Sequence, residues 1–257
     1  MDLGLKGRKA IVAGASRGIG LATARVLAGE GAEVFGLARD GALLAEVTKE
    51  IGGGHAVADL TDTASTDAGV AAAVAHFGVP DILIVSAGAA QGGLFWDLDD
   101  ATWHGAMELK FMGMVRLFRA VAPLMVKAGR GRIVVIVGNN GKQPMARTAP
   151  GSAANAACLA AITALAHEVA PHGVSVSALN PGPTQTGRWT VMIDRLAAQE
   201  GRPAAEVEAE RLATMPRGRI ATAQEMGRLA AILASDLADM VTGTSLTADG
   251  GATLAIA

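Results

Sequence analysis

A glycine-rich turn, Gly14-Ala15-Ser16-Arg17-Gly18-Ile19-Gly20, is the feature that most restricts how this chain can fold. It follows the apolar run 10–13 and opens a stretch of helical pattern over residues 19–28. Glycines let such a turn close and let backbone N–H groups approach a pyrophosphate, which the positive helix N-terminus attracts. We expect a phosphate-binding turn, with a plain tight turn as the alternative. The candidate cofactor contacts in it are Gly14, Ser16, Arg17, Gly18, Ile19 and Gly20.

Short β-branched runs alternate with longer stretches rich in alanine and leucine along the rest of the chain. This pattern predicts strands at residues 10–13, 33–38, 55–58, 82–86, 132–137, 174–179 and near 245–248. It predicts helices at residues 19–28, 43–51, 65–77, 101–127, 153–169 and 224–234. Strand–helix alternation with right-handed crossovers gives a parallel sheet covered on both faces. The predicted fold is therefore a single-domain α/β Rossmann fold over residues 1–257, with a doubly wound parallel sheet of about seven strands.

Composition and charge exclude several classes of protein. The chain has 257 residues, is 51% hydrophobic and carries a net charge of −2, with lysine and arginine scattered along it. Such a charge gives no footprint for nucleic acid or for an anionic membrane. The first nine residues lack the apolar segment of a signal peptide, and no apolar run reaches about 18 residues. We expect a cytoplasmic protein without nucleic-acid or membrane partners. Cys158, the only cysteine, is expected to be a buried structural thiol.

One irregular insertion is predicted between Asn180 and Arg219. It follows a strand end, where ligands bind in sheets of this kind. We interpret residues 183–219 as a substrate lid, with an oligomer-contact flap as the alternative. Four apolar residues in the insertion suggest an apolar small-molecule substrate: Trp189, Val191, Met192 and Ile193.

The end of the second predicted strand indicates which dinucleotide the chain binds. An NAD site places a carboxylate there for the ribose 2′-hydroxyl, whereas an NADP site places a guanidinium. Arg39 stands at this strand end and Arg17 lies in the glycine turn, so the two could bracket a 2′-phosphate. Asp40 would favour NAD, but it is also a plausible helix cap. NADP is the predicted cofactor and NAD the less favoured alternative.

With these residues the chain resembles the short-chain dehydrogenase/reductase family, and in particular its 3-oxoacyl-carrier-protein-reductase-like members. The resemblance implies the strand order 3-2-1-4-5-6-7 and a homodimer or homotetramer. It also implies that Asp59 contacts the adenine and that Pro181, Gly182 and Thr186 face the nicotinamide carboxamide. The matching segments are residues 14–20, 59–62, 87–88, 131–137, 180–186 and 247–251. They add Leu60, Ala87, Gly88 and Thr184 to the candidate cofactor contacts.

The catalytic positions of the family are degenerate in this chain. The family uses a tyrosine as proton donor, and a neighbouring lysine ammonium lowers the pKa of that phenol. A serine and an asparagine complete the tetrad. Matched on residues 131–133 and 180–182, the serine position holds Gly138 and the tyrosine position holds Gly151. Whatever the alignment, the chain contains no tyrosine at all.

The two remaining tetrad positions exchange their residue types. Lys110 stands where the family has asparagine, and Asn155 stands where it has lysine. Either the site keeps one ammonium and one amide with traded positions, or Lys110 is an exposed helix lysine and Asn155 a remnant of an inactive site. Glu108 lies two residues from Lys110 on a helix and is expected to point elsewhere.

Other polar residues are weaker candidates. Asn139, Asn140, Lys142 and Gln143 follow the fifth predicted strand and could reach a substrate, although Asn-Asn-Gly is also ordinary turn chemistry. His104 is the one histidine expected near a cleft, and the five histidines show no metal spacing. No metal site is predicted.

The sequence favours an atypical NADP(H)-dependent oxidoreductase for a small, largely apolar carbonyl or enone-type substrate. Two alternatives remain. One is a catalytically silent NADP-binding sensor or partner subunit, and the other is a non-redox lyase or hydratase that uses Lys110.

Overall fold

The computed structural model of the chain describes residues 2–88 and 92–255. Within them lie the strands β1 (Lys9–Ala13), β2 (Glu33–Ala38), β3 (Gly54–Val57), β4 (Ile82–Val85), β5 (Gly131–Ile136), β6 (Val174–Pro181), β7 (Thr184–Gln185), β8 (Ala221–Thr222) and β9 (Ser245–Ala248). Seven of them form one parallel sheet in the order β3-β2-β1-β4-β5-β6-β9. The predicted fold class is confirmed, and so is the implied strand order, with β9 as the seventh strand.

Helices cover both faces of this sheet. They are α1 (Gly18–Gly29), α2 (Gly41–Ile51), α3 (Thr63–Phe77), α4 (Asp100–Ala106), α5 (Gly113–Ala128), α6 (Ala149–Val169), α7 (Gly187–Glu200), α8 (Ala204–Ala213) and α9 (Ala223–Leu233). Alternate strand residues supply two buried clusters. Ile11 and Ala13 of β1 belong to the layer under α3, α5 and α6, whereas Ala10 and Val12 belong to the layer under α1 and α9. Burial on both faces explains why the strands read as nearly continuous apolar runs.

The single helix predicted over residues 101–127 is wrong in one respect. A π-helical turn, Met107–Met112, separates α4 from α5. Such a turn holds one more residue than an α-turn and often marks a functional site. Here it contains Lys110, whose side chain faces β5, while Glu108 forms an ion pair with Arg116. The expectation that Glu108 points elsewhere is therefore confirmed.

The insertion after β6 is not irregular, contrary to the prediction. It contains α7 and α8, and β7 pairs with β8 in a small parallel sheet. Trp189 and Ile193 pack with Ile220 in a separate buried cluster, and the indole Nε1 of Trp189 donates a hydrogen bond of 2.6 Å to Glu208. These two residues therefore stabilise the insertion itself and do not face a ligand, whereas Val191 is 68% exposed.

Helix α6 with the turn that follows it (Ala149–His172) is long and apolar enough to cross a membrane by length and composition. Its buried face includes Ala154, Cys158, Ile162 and Ala166, which belong to the core layer over the sheet. A core helix accounts for the same composition.

Candidate functional site

The glycine turn is closed so tightly that side chains are excluded from two of its positions. Gly14 has a φ of 84°, and a Cβ atom added to it would lie 2.8 Å from the carbonyl oxygen of Ser86. A Cβ atom on Gly20 would collide with the carbonyl oxygen of Gly14. Only glycine allows α1 to start this close to the strand ends.

The N-terminus of α1 is open for an anion. Its N-cap residue, Arg17, has extended backbone angles and makes no side-chain hydrogen bond to the first turn. The orphan N–H groups of that turn are therefore available to phosphate oxygens. Ser16 is half-buried beside them, and Ile19 packs on the core layer beneath α1.

The two arginines predicted to bracket a 2′-phosphate differ in their partners. Arg17 Nη2 lies 2.8 Å from Oδ2 of Asp40, and Asp40 also caps α2 by accepting a hydrogen bond from the N–H of Leu43. The Leu43 N–H, and then the Arg17 guanidinium, hold the pKa of Asp40 below its usual value. Arg39 is exposed at the end of β2 and forms no ion pair within the described residues. Arg39 is thus the better placed of the two for a phosphate.

The segment after β3 lies next to Arg39. Asp59 accepts hydrogen bonds from the backbone N–H and the hydroxyl of Thr61, which lower its pKa most, with a smaller contribution from the Arg39 guanidinium. Leu60 is buried, so its side chain serves the core and only its backbone can face a cofactor. Ala87 follows β4, and its backbone nitrogen lies 3.1 Å from the position of a Cβ atom on Gly14.

The turn after β6 meets the glycine turn. Thr186 Cγ2 lies 3.5 Å from the position of a Cβ atom on Gly18. Inside the turn, the hydroxyl of Thr184 donates to the carbonyl oxygen of Gly182 at 3.0 Å, and the hydroxyl of Thr186 donates to the carbonyl oxygen of Thr184 at 3.4 Å. The candidate phosphate and carboxamide contacts therefore lie next to each other at the carboxyl end of the sheet, where this topology places a ligand cleft.

Two of the polar candidates after β5 have structural partners. Asn139 Nδ2 lies 3.3 Å from both Oδ2 of Asp249 and Oγ1 of Thr253, and Gln143 Oε1 accepts a hydrogen bond of 2.6 Å from the N–H of Leu254. These amides anchor the C-terminal segment behind Gly182. The turn interpretation of Asn139-Asn140-Gly141 fits the 3₁₀ turn found there. Asn140 and Lys142 lie half-buried in the same loop.

Lys110 lies inside the cleft, between Gly88 and the end of β5. Its Nζ donates a hydrogen bond of 2.6 Å to the carbonyl oxygen of Val137. A Cβ atom on Gly88 would lie 2.8 Å from Cδ and 3.3 Å from Nζ of Lys110, so the glycine leaves room for this side chain. Desolvation lowers the pKa of Lys110 to about 8. The Arg188 guanidinium adds to the shift and the Cys158 thiol opposes it. Lys110 is therefore not a solvent-exposed helix lysine.

Asn155 occupies the neighbouring position on α6. It is 8% exposed, and its Nδ2 lies 3.1 Å from the position of a Cβ atom on Gly138. Gly138 has a φ of 125°, a conformation that L side chains rarely adopt. Gly151 lies in the first turn of α6. The amide thus stands next to the position where the family resemblance expects a serine.

Cys158 does not supply an acid to the cleft. Burial raises the pKa of the Cys158 thiol to about 11, and Sγ lies 3.7 Å from the carbonyl oxygen of Lys110. The expectation of a buried structural thiol agrees with this geometry. His104 is exposed on α4.

Sequence reasoning missed two polar residues of this site. Arg188 Nη1 donates a hydrogen bond of 2.8 Å to the carbonyl oxygen of Gly88. The only indication of Arg188 in the sequence was a positive charge two residues after Thr186. Asn180 is fully buried in β6, and its amide atoms have no hydrogen-bond partner within residues 2–88 and 92–255. It stood in a recognised motif, but burial of its side chain cannot be read from the motif.

Comparison with known proteins agrees with this geometry. The model of the short chain dehydrogenase family matches residues 8–195. The 3-oxoacyl-[acyl-carrier-protein] reductase of Escherichia coli is 33% identical over 251 residues, which cover 97% of this chain and 98% of that protein. A single-site variant of actinorhodin polyketide ketoreductase, solved with NADPH, superposes with a TM-score of 0.92 at 31% identity, covering 96% of this chain and 97% of that one. L-sorbose reductase from Gluconobacter frateurii, solved with NADPH and L-sorbose, has a TM-score of 0.94 at 28% identity, with both chains fully covered.

Proposed function

The chain belongs to the short-chain dehydrogenase family, and on that basis we propose that it is an NADP(H)-dependent oxidoreductase that works without the family's serine, tyrosine and lysine. Its substrate class is a small, largely apolar carbonyl or enone-type compound. Two observations support the cofactor. The relatives solved with NADPH share the whole fold, and the cleft offers an uncapped helix N-terminus and an exposed Arg39.

The cleft residues fit a dinucleotide. Gly14, Gly18 and the first turn of α1 would hold the pyrophosphate, because a side chain at Gly14 would collide with Ser86. Arg39 would bind the 2′-phosphate, since Arg17 is engaged by Asp40. The turn from Pro181 to Thr186, beside Gly18, would hold the nicotinamide end. When bound, NADPH supplies a hydride.

The buried ammonium of Lys110 is the observation that carries the proposed mechanism. Without a phenol, reduction of a simple ketone loses a general-acid contribution of roughly 10²–10⁴ in rate. Lys110 has a pKa of about 8 and a fixed position against Val137, so below pH 8 it presents a positive charge inside the cleft. A fixed positive charge can stabilise an oxyanion on the substrate electrostatically.

An enone suits this arrangement better than a simple ketone. Reduction of an enone at its β-carbon leaves the negative charge on the substrate oxygen as an enolate, which is far more stable than an alkoxide. Lys110 would face that oxygen, and Asn155 would add a neutral donor beside Gly138. The site therefore favours substrates whose reduced form is a stabilised anion.

A catalytically silent NADP-binding protein is the second candidate. It is favoured by the glycines at positions 138 and 151 and by the hydrogen bond that already engages Lys110 Nζ with Val137. A non-redox lyase or hydratase would use the same Lys110.

We further propose that the protein is cytoplasmic and that it forms a homodimer or homotetramer. The oligomer is supported by α6, which exposes Ala153, Ala156 and Ala160 on an apolar face.

The test compares consumption of NADPH with a short aliphatic enone and with the matching saturated ketone. The enone should be reduced and the ketone should not. Lys110→Met should lower kcat for the enone by roughly 10²–10³, whereas Lys127→Met, an exposed lysine on α5, should not change it. The rate should fall above pH 8 as the ammonium of Lys110 is lost. Equal activity of the Lys110→Met variant would overturn the proposed role of Lys110, whereas turnover of neither compound would favour the second candidate.

A further inference from the structure

The guanidinium of Arg188 and the ammonium of Lys110 flank the same residue, Gly88. Arg188 Nη1 donates to the carbonyl oxygen of Gly88 at 2.8 Å, and Nζ of Lys110 lies 3.3 Å from the position of a Cβ atom on that glycine. Arg188 is exposed at the start of α7, and this is its one side-chain hydrogen bond within residues 2–88 and 92–255, so its other N–H groups are not used by that part of the chain. Two cationic side chains thus approach the same residue, Gly88.

No carboxylate balances these two cations within the described residues. Neither Lys110 nor Arg188 takes part in an ion pair there, and residues 89–91 are Ala, Ala and Gln. Two acidic groups of this region are engaged elsewhere: Glu108, two residues from Lys110, pairs with Arg116, and Asp249 binds Asn139 and the backbone of the C-terminal segment. The repulsion between the two cations is part of what lowers the pKa of Lys110. Like charges placed together at a partly desolvated site, without a counter-ion, are costly unless a ligand brings the negative charge.

One exposed aliphatic side chain lies next to Arg188 on α7. Val191 follows it by three residues on α7, which places both side chains on one face of the helix, and Val191 is 68% exposed. A ligand held by Arg188 would therefore meet an aliphatic surface on the insertion side. This combination selects a short apolar molecule with one anionic end.

We propose that the substrate carries a carboxylate close to its reacting unsaturated carbonyl, with Arg188 binding the carboxylate and Lys110 facing the carbonyl oxygen. The inference rests on the proposed function. In the reaction the carbon–carbon π bond breaks, one C–H bond forms with the hydride of NADPH, and a second forms with a proton from water. NADP⁺ is the oxidised product and the saturated oxo acid the reduced one.

The probe pair is trans-4-oxopent-2-enoate and its methyl ester, in which a small neutral ester group replaces the negative charge. A charge-assisted pair with a guanidinium is worth about tenfold or more in affinity. The wild-type KM should therefore be at least about tenfold lower for the acid. Arg188→Gln should raise the KM of the acid to that of the ester and leave the ester unchanged. The matched control is Arg195→Gln, an exposed arginine two turns further along α7.

Calorimetry separates this inference from the proposed function. The saturated compounds 4-oxopentanoate and its methyl ester are titrated into the protein with NADP⁺, where no turnover is needed. Binding of the acid that depends on Arg188, without reduction of the enoate, would support the anion site and overturn the proposed redox function. Equal binding of acid and ester would overturn the anion site. So would an Arg188→Gln variant that loses affinity for NADPH, because the guanidinium would then serve the pyrophosphate.

Discussion

Replacing Lys110 with methionine should remove a pH-dependent destabilisation that the desolvated ammonium causes. Desolvation lowers the pKa of Lys110 from 10.5 to about 8, so the unfolded chain holds this proton more tightly than the folded one. The drop corresponds to about 3 kcal/mol of lost stability at pH 7. This loss of stability is fully present below pH 8. It disappears as the pH rises through 10.5, where the folded and the unfolded chain both lose the proton.

The change of the free energy of unfolding with pH tests the desolvation of Lys110 more directly than the free energy of unfolding at one pH. Methionine also removes the hydrogen bond from Nζ to Val137, which is worth about 1.5–3 kcal/mol for a charged donor. At pH 7 the two effects partly cancel. Between pH 7 and pH 9, however, pKa values of 10.5 and about 8 predict that the wild type gains about 1.3 kcal/mol relative to the methionine variant.

Urea denaturation at pH 7, 8 and 9 measures this difference for the wild type, Lys110→Met and the exposed control Lys127→Met. The raised pKa of Cys158 is shared by all three proteins and largely cancels in the comparison. The free energy of unfolding of Lys127→Met should change with pH as that of the wild type does, and only that of Lys110→Met should change differently. If the free energies of unfolding of Lys110→Met and the wild type changed equally with pH, the claim that the Lys110 ammonium is desolvated would be refuted.

Three further predictions concern individual residues. Arg39→Ala should weaken NADPH by about tenfold or more and leave NADH nearly unchanged, as measured by calorimetry; an equal loss for both cofactors would contradict the 2′-phosphate contact. Gly138→Ser should lower the free energy of unfolding by about 1–3 kcal/mol because of the φ of 125°, and should not restore ketone reduction; a stable, ketone-reducing variant would show that the serine alone was missing. Iodoacetamide should not alkylate Cys158 in the folded protein at pH 8, since the thiol is buried and its pKa is about 11; rapid labelling by mass spectrometry would contradict that burial.

The strands and the glycine turn were predictable from sequence because local rules decide them. Strands buried on both faces must be apolar throughout, so β1 and β4 stand out as short apolar runs. The glycines of the turn are fixed by backbone collisions that no side chain at Gly14 or Gly20 could avoid. Both signals involve few residues and little tertiary context.

The features that could not be predicted depend on contacts between residues that are distant in sequence. The π-helical turn at Lys110 has no sequence signature. The direction of the Lys110 side chain is known only from the hydrogen bond that Nζ donates to Val137 in the folded chain. Trp189 and Ile193 looked like ligand contacts, but they pack against Ile220, which lies in the segment after α8. Asn139 looked free to reach a substrate, yet Asp249 engages it from more than a hundred residues away.

Transfer of the hydride from NADPH to the β-carbon of an enone can be followed with an isotope. NADPH deuterated at C4 of the nicotinamide is incubated with the protein and an enone, and the product is analysed by NMR and mass spectrometry. We expect a saturated ketone with deuterium on the β-carbon, and loss of that product in the Lys110→Met variant. An allylic alcohol with deuterium on the carbonyl carbon would contradict it, because an efficient proton donor would then exist without tyrosine. Recovery of unchanged enone would contradict the redox function.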